Sequence, residues 1–245
     1  MTGIESALII AAGKGTRLES SPPMHKCLAR VEGRPLLAWI VEALAAARVC
    51  EVHLVVGHRA EVLEATVAGL SLPLPVRFTR CPDWELGNGR SAAQGESVID
   101  AERFLLLMSD HLISAAHVAA VVAASQARPE CCVLGTCSPE LPDLDLADAT
   151  KVRVDESAAI IAIGKELDDY NAVDTGVFAM TRELFPALAE AKDAGDFSLT
   201  GGNRVLARQR RLIAAAVPSE LLWQDVDTPA DLAVARRIAP RLQRS

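Results

Sequence analysis

Two glycines, a few cations and three scattered carboxylates are the residues of this chain whose types and spacing can do chemistry. The apolar run from Ala7 to Ala12 breaks into Gly13, Lys14 and Gly15, with Arg17 and Lys26 close behind. Glycines let a chain turn sharply and bring backbone N–H groups against a ligand. Three cations around such a turn suit a polyphosphate. Two commoner glycine loops do not fit. The dinucleotide fingerprint needs a third Gly or an Ala where this chain has Leu18. The P-loop needs Gly, four residues, then Gly-Lys-Ser/Thr. Here Gly164 and Lys165 are followed by Glu166, and Ala159 stands where the first glycine belongs.

The carboxylates complete this chemistry. Ligands of open α/β sheets collect outside the carboxyl ends of the strands. Asp110 follows the uninterrupted apolar run Arg103 to Met108 and faces the same crevice as Gly13, which makes it the first candidate for a metal ligand, with a turn cap as its alternative. Mg²⁺ prefers one or two carboxylates plus phosphate oxygens. Asp225 and Asp227, just before the last helical segment, offer the second. Asp225 reads first as a ligand. Asp227 adjoins Thr228 and reads equally as a ligand or as a cap.

The elements that must position these residues alternate. Ala7 to Ala12 reads as a buried strand, Pro35 to Ala47 as a helix with Leu37, Ile40, Val41 and Leu44 on one face, and Val52 to Val56 as a strand. Arg59 to Ala68 reads as a helix, Val76 to Arg80 and Arg103 to Met108 as strands, Ala115 to Ala127 as a helix and Cys132 to Thr136 as a strand. Strand–helix alternation predicts a mostly parallel three-layer sheet. The pattern then changes. Lys151 to Asp155, Ala159 to Gly164 and Val173 to Met180 read as strands without long helices between them, an antiparallel or mixed extension suited to the acceptor side of a pocket. Leu184 to Lys192 and Leu199 to Arg208 read as helices. A last helix is capped by Thr228, with Pro229 at its first position, and runs to about Ile238.

Composition excludes several classes. Half of the 245 residues are hydrophobic, enough for a sizeable core, and one domain spanning 1–245 is expected. A net charge of −7 argues against general nucleic-acid binding while allowing a local basic pocket. The six cysteines show no Cys-x-x-Cys spacing and read as reduced thiols. The N-terminal apolar run is too short for a signal peptide and no stretch approaches a membrane span, so a cytoplasmic protein without a membrane partner is expected. Only 5 of the 25 basic residues are lysine, a composition that leans away from heat-adapted proteins.

Ala11 to Leu18 followed by Lys26 resembles the signature of nucleoside triphosphate transferases, the sugar-nucleotide pyrophosphorylase superfamily. The order of Gly87 to Ser91, Ser109 to His111, Ala149 to Val154, Ile163 to Leu167, Val173 to Gly176 and Trp223 to Thr228 narrows this. That set resembles the cytidylyltransferase domain of inositol-1-phosphate cytidylyltransferases, with choline-phosphate and aminoethylphosphonate cytidylyltransferases near. The likeness covers Ala7 to about Arg236. It implies a GT-A-like, Rossmann-like nucleotidyltransferase fold. It also implies an Mg²⁺-dependent transfer of CMP from CTP to a small phosphorylated alcohol or a phosphonate, with release of pyrophosphate; a sugar 1-phosphate is the further alternative.

The same likeness implies roles. Ala12, Gly13, Gly15, Thr16 and Arg17 hold the triphosphate, and Gly87, Asn88, Gly89 and Ser91 contact base and ribose. Lys26, Arg17 and Asp110 serve catalysis, with Asp110, Asp225 and Asp227 as metal ligands. Lys165 binds the acceptor phosphate, His111 touches substrate or serves the structure, and Asp174, Thr175 and Gly176 border the acceptor. Lys151 is left at the rim. The superfamily usually has Pro before the loop lysine, where this chain has His25; that departure bears on the rigidity of the loop rather than on Lys26. Relatives often continue into a membrane-bound alcohol-transfer domain, which is not expected here. A non-catalytic nucleotide-binding module typically loses the loop lysine or a metal carboxylate, whereas Lys26, Asp110 and Asp225 are all present.

Overall fold

The apolar run after the N-terminus forms β1 (Ser6–Ala11), and its alternation explains its place. Ala7, Ile9 and Ala11 enter one core cluster while Leu8 and Ile10 enter another, so the strand is buried on both faces. The computed structural model describes residues 3–15, 18, 25–141, 144–218 and 223–242. Thr16 and Arg17 lie outside the described residues.

Beyond β1 the chain forms a small hairpin, β2 (Arg30–Val31) and β3 (Arg34–Pro35), then α1 (Leu36–Ala46), β4 (Glu51–Val56), α2 (Ala60–Ala68) and β5 (Val76–Arg80). There follow α3 (Asn88–Ala93), β6 (Arg103–Met108), β7 (His111–Ile113), α4 (Ala115–Ala127) and β8 (Cys132–Cys137). β9 (Lys151–Val154), β10 (Ile160–Gly164) and β11 (Ala172–Thr181) come next, then α5 (Leu184–Asp193), α6 (Leu199–Arg208), β12 (Leu212–Ala216), β13 (Trp223–Asp225) and α7 (Pro229–Leu242). Pro35 caps α1 in extended conformation rather than starting it, and Arg59 caps α2 with φ 50°.

Among the described residues, nine strands make the main sheet. One path runs β10-β9-β11-β6-β1-β4-β5, and β8 with β12 lies on the other edge of β11. The strands β6, β1, β4 and β5 are parallel, as the alternating pattern predicts. The expected mixed extension is there too, but its longest strand enters the middle of the sheet. β11 runs antiparallel between β6 and β8. Its first residues pair with β9 and its last with β6, because a register shift between Asp174 and Phe178 bends the strand from one partner to the other. One face of the sheet is covered by apolar residues of α1, α2 and α4, the other by those of α3, α5 and α6. This is a mixed α/β three-layer fold of the GT-A type.

A second ribbon decides the site. β7 pairs antiparallel with β13, outside the main sheet, and sets His111 opposite Asp225. A third apolar cluster, including Val31, Leu36, Trp39, Leu112, Val226 and Ala235, clamps this ribbon against α1 and α7. Burial of these side chains, at roughly 1.5–3 kcal/mol each, holds two segments more than a hundred residues apart in one register. Neither β12 nor the β7–β13 ribbon is predicted by the sequence pattern; the three-residue strands β7 and β13 carry no usable periodicity.

Candidate active site

Lys26 opens a short 3₁₀ turn below β1. Its Nζ lies 3.4 Å from Asp110 Oδ2 and forms an ion pair with Asp227 Oδ1. Gly15, at φ +63°, explains how the lysine fits. A Cβ there would stand 2.5 Å from Lys26 Cγ, so the glycine is both a backbone and a packing requirement. Gly13 differs from expectation: its φ is not positive, so the turn does not need it. A Cβ at Gly13 would meet nothing within 4 Å, which leaves open space for a ligand to approach.

Asp110 sits between β6 and β7. His111 Nδ1 is 2.9 Å from Asp110 Oδ1, and its ring stacks on Trp223 with centroids 5.6 Å apart and planes 13° apart. Gly176, at φ +71°, leaves room for that ring, since a Cβ would lie 2.6 Å from Nε2. Asp225 Oδ1 is 3.9 Å from His111 Nδ1 and has no hydrogen-bond partner among the described residues. One donor atom each from Asp110, His111 and Asp225 lie within 4.8 Å of one another.

Charges couple these groups. Burial opposes ionisation of Asp110, but the hydrogen bond and charge of His111, with Lys26, outweigh it and hold the carboxyl well below its ordinary range. Burial also disfavours the charged His111 ring, yet Asp225 and Asp110 raise it to about 9. Asp225 is raised mainly by burial, against the pull of His111. Asp174 is pushed up to about 6 by burial, against the Gly176 N–H that its side chain accepts at 2.7 Å. A carboxylate pair with one buried, unpartnered oxygen is a donor set that fits Mg²⁺, which takes hard oxygen ligands. The hydrogen bond from His111 fixes the orientation of Asp110.

Two clefts meet here. One of about 300 Å³ runs past Gly13, Gly15, Trp84, Gly87, Asn88 and Ser91. The other, about 320 Å³, runs past His111, Lys165, Asp174, Gly176, Asp225 and Asp227. Both are lined by Lys26, Asn88, Met108 and Asp110, so the lysine and the aspartate stand at their junction.

Several expected site residues sit away from the two clefts or in other contacts. The Ala12 side chain is buried in the core and its carbonyl accepts from His58 N, so it does not line the cleft. Gly89 packs on the backbone of Phe197 and Ser198, where a Cβ would clash at 2.6–2.7 Å; it serves helix packing. Thr175 is fully buried and points away from the acceptor side, bonding Gly135 O at 2.8 Å and His117 Nε2 at 2.9 Å. Alternation along β11 presents Asp174 and Gly176 instead. The cap of α7 is a reciprocal Thr228–Asp231 pair, with Asp231 Oδ2 accepting from Thr228 N at 2.7 Å and Asp231 N donating to Thr228 Oγ1 at 3.3 Å. Asp227 pairs with Lys26 and is not in the convergent donor group. Lys165 lines the acceptor-side cleft, paired with Asp148, and Lys151 Nζ donates to its carbonyl. Asn203 goes unpredicted by the sequence: buried on α6, it lines that cleft with Oδ1 unpartnered among the described residues. Nothing in its sequence neighbourhood announces it.

The fold and the two-cleft junction define a nucleotidyltransferase domain. Residues 7–216 match the MobA-like NTP transferase domain, and the chain belongs to that family. It is 33% identical over 236 residues, 95% of its length, to the bifunctional IPC transferase and DIPP synthase of Rubrobacter xylanophilus, of which it spans 51%. It is 31% identical over 247 residues to the CMP-5'-(3-aminopropyl)phosphonate synthase of Streptomyces rubellomurinus, covering 92% of this chain and 37% of that one. The chain thus spans about half the length, or less, of these relatives. The inositol-1-phosphate CTP transferase structure from T. maritima superposes with TM-score 0.82 at 26% identity, over 99% of this chain and 97% of that one. Among the described residues no helix is long and apolar enough to cross a membrane.

Proposed function

We propose that the protein is an Mg²⁺-dependent cytidylyltransferase that transfers CMP from CTP to a small phosphorylated alcohol of the inositol 1-phosphate kind, releasing pyrophosphate. The observation that carries this reading is the junction of two clefts at Lys26 and Asp110. A reaction joining two anionic substrates needs two pockets and a shared centre of positive charge. The likeness to the inositol-1-phosphate CTP transferase supports the choice of nucleotide and acceptor.

In this mechanism an acceptor phosphate oxygen attacks the α-phosphorus of CTP. The new P–O bond forms as the bond to the bridging α–β oxygen breaks, and pyrophosphate leaves with that electron pair. The acceptor is already ionised near neutral pH, so no general base is required. Catalysis is positioning and charge neutralisation. Lys26 neutralises the α-phosphate as attack proceeds, leaving its resting partners Asp110 and Asp227. The loop of Gly13 and Gly15 admits the triphosphate close to backbone, and Lys165 holds the acceptor phosphate. Asp110 and Asp225 hold the metal, which when bound supplies further neutralisation of the α-phosphate and the departing pyrophosphate.

A second acceptor, an aminoalkylphosphonate, has its own support. Asp145, Asp148 and Asp174 line the acceptor-side cleft and favour a cationic end on the acceptor, and one relative is named for a phosphonate product. Pyrophosphate release measured with the four ribonucleoside triphosphates against inositol 1-phosphate, 2-aminoethylphosphonate and glucose 1-phosphate separates these, with ³¹P NMR identifying the product. Turnover with CTP and one of the first two acceptors is expected. Absence of turnover with every pair refutes the enzyme reading.

A further inference from the structure

A buried polar pair lies behind the acceptor-side wall of the site, and the mechanism makes no direct use of it. Thr175 and His117 are fully buried, the first in β11 and the second in the first turn of α4. The Thr175 hydroxyl donates to Gly135 O at 2.8 Å, and its oxygen lies 2.9 Å from His117 Nε2. A hydroxyl carries one proton. With that proton committed to a carbonyl, the second contact requires His117 to carry its own proton on Nε2 and to donate it. The histidine is tied down in turn, since its backbone N–H donates at 3.1 Å to the Ser114 hydroxyl that caps α4. Gly135 makes room for the pair: a Cβ there would stand 2.9 Å from Thr175 Oγ1.

The pair sits at the irregularity of the β8–β11 ladder. Asp174 pairs with Thr136 and Phe178 with Leu134, so Thr175, Gly176 and Val177 stand opposite Gly135 alone, which has no register partner on β11. Bulges of this kind re-aim side chains beside a site, and here the Thr175 hydroxyl supplies the bond to Gly135 that the ladder lacks. Gly176, inside the bulge at φ +71°, meets the site on two sides. Its N–H donates to Asp174 Oδ1 at 2.7 Å, and its missing side chain leaves the space that the His111 ring fills. Asp174, Gly176 and His111 line the acceptor-side cleft and not the nucleotide-side one. For stability alone an apolar pair of the same shape would serve as well, because the net contribution of a buried hydrogen bond is small. His117 even leaves Nδ1 buried without a partner among the described residues. What a satisfied buried hydrogen bond adds over an apolar contact is a unique arrangement.

We propose that Thr175 and His117 are positioning residues for the acceptor: they pin the β11 bulge to α4 and so hold Asp174, and Gly176 against the His111 ring, in the geometry that acceptor binding requires. Neither side chain touches substrate, and both act through Gly176. The inference deepens the cytidylyltransferase reading and rests on it.

The test compares Thr175→Val with Thr175→Ser. Valine keeps the bulk and removes the hydroxyl, whereas serine keeps the hydroxyl and removes the methyl group. In Thr175→Val, kcat/KM for the acceptor, inositol 1-phosphate or 2-aminoethylphosphonate, is expected to fall by up to about a hundredfold, the scale of a small misplacement in a site. KM for CTP stays within about twofold. Thr175→Ser recovers most of the loss, even where its Tm is the lower of the two. In the ligand-free protein the ring resonances of His111 move in Thr175→Val and return in Thr175→Ser, a readout that needs no turnover. Loss of activity in both variants in proportion to their loss of Tm assigns a purely structural role and overturns the proposal. So does a Thr175→Val protein whose acceptor kcat/KM or His111 resonances match the wild type. Independently of folding in the variants, ¹⁵N NMR of the wild type is expected to show His117 protonated on Nε2 and bare on Nδ1; the opposite tautomer overturns the proposal. Movement of the His111 resonances in a protein that turns over no acceptor upholds the positioning while refuting the enzyme reading.

Discussion

Replacing Lys26 with Ala tests the junction directly. The lysine faces Asp110 at 3.4 Å in a site where both side chains are four-fifths buried or more. A unit charge pair at that distance, with an effective dielectric of about 20, is worth about 5 kcal/mol. In the reacting complex the same ammonium faces an α-phosphate oxygen; at about 4 Å the interaction is about 4 kcal/mol. At about 1.4 kcal/mol per factor of ten, its loss lowers the rate by up to about a thousandfold. The assay is single-turnover pyrophosphate release at saturating CTP, Mg²⁺ and acceptor, which isolates the chemical step from binding. Lys26→Arg recovers only part of the rate, because a planar fork does not place its charge where a compact ammonium does. Thermal denaturation gives a control, since Lys26→Ala also removes the ion pairs of Lys26 with Asp110 and Asp227 and lowers Tm. A Lys26→Ala enzyme within tenfold of the wild-type single-turnover rate refutes the argument that charge at the junction drives the reaction.

Further predictions follow from the same geometry. Asp225→Asn removes one of the two metal carboxylates while keeping its shape; the Mg²⁺ concentration for half-maximal activity rises more than about tenfold, read by metal titration of the assay. Gly176→Ala places a side chain at φ +71° and against the His111 ring; the backbone alone costs about 1–2 kcal/mol, and urea denaturation shows at least that loss together with reduced activity. His117 gives a pH signature. Burial lowers its pKa to about 4, against 6.5 in the unfolded chain, so between these values the unfolded state binds the additional proton. Stability contributed by the neutral ring is complete above pH 6.5 and is lost as pH falls, by about 2 kcal/mol at pH 5 and about 3 kcal/mol by pH 4. Urea denaturation from pH 7 to pH 4 shows that loss in the wild type and a flatter profile in His117→Gln. Identical slopes in the two proteins refute the assignment.

Much of the frame was legible in the chain. A six-residue apolar run that breaks into glycine reads as a buried strand by its length, and Gly15 takes φ +63° where a Cβ would clash with the Lys26 stem. Asp110 is likewise legible, since an acid directly after a doubly buried strand has few places to go but the crevice at the strand's carboxyl end. Local pattern also placed the parallel strands β1, β4, β5 and β6 and the helices α1, α2 and α4 on one face, to within a few residues, but not α3 on the other.

What the chain could not announce is long-range registration. That Asp225 stands opposite His111 depends on a three-residue pairing held by a separate apolar cluster, and no local signal encodes it. The same holds for β11, whose period of two says which residues alternate but not that a register shift turns Thr175 into the core and Asp174 to the cleft. Asp227 shows the rule from the other side. Beside Thr228 it looks like a helix cap, yet the Thr228–Asp231 pair takes that role while Asp227 pairs with Lys26. Sequence determines which residues are able to act, through their chemistry and local conformation. Tertiary structure decides which of them meet, because contacts between distant segments are fixed by the packing of side chains that take no part in the chemistry.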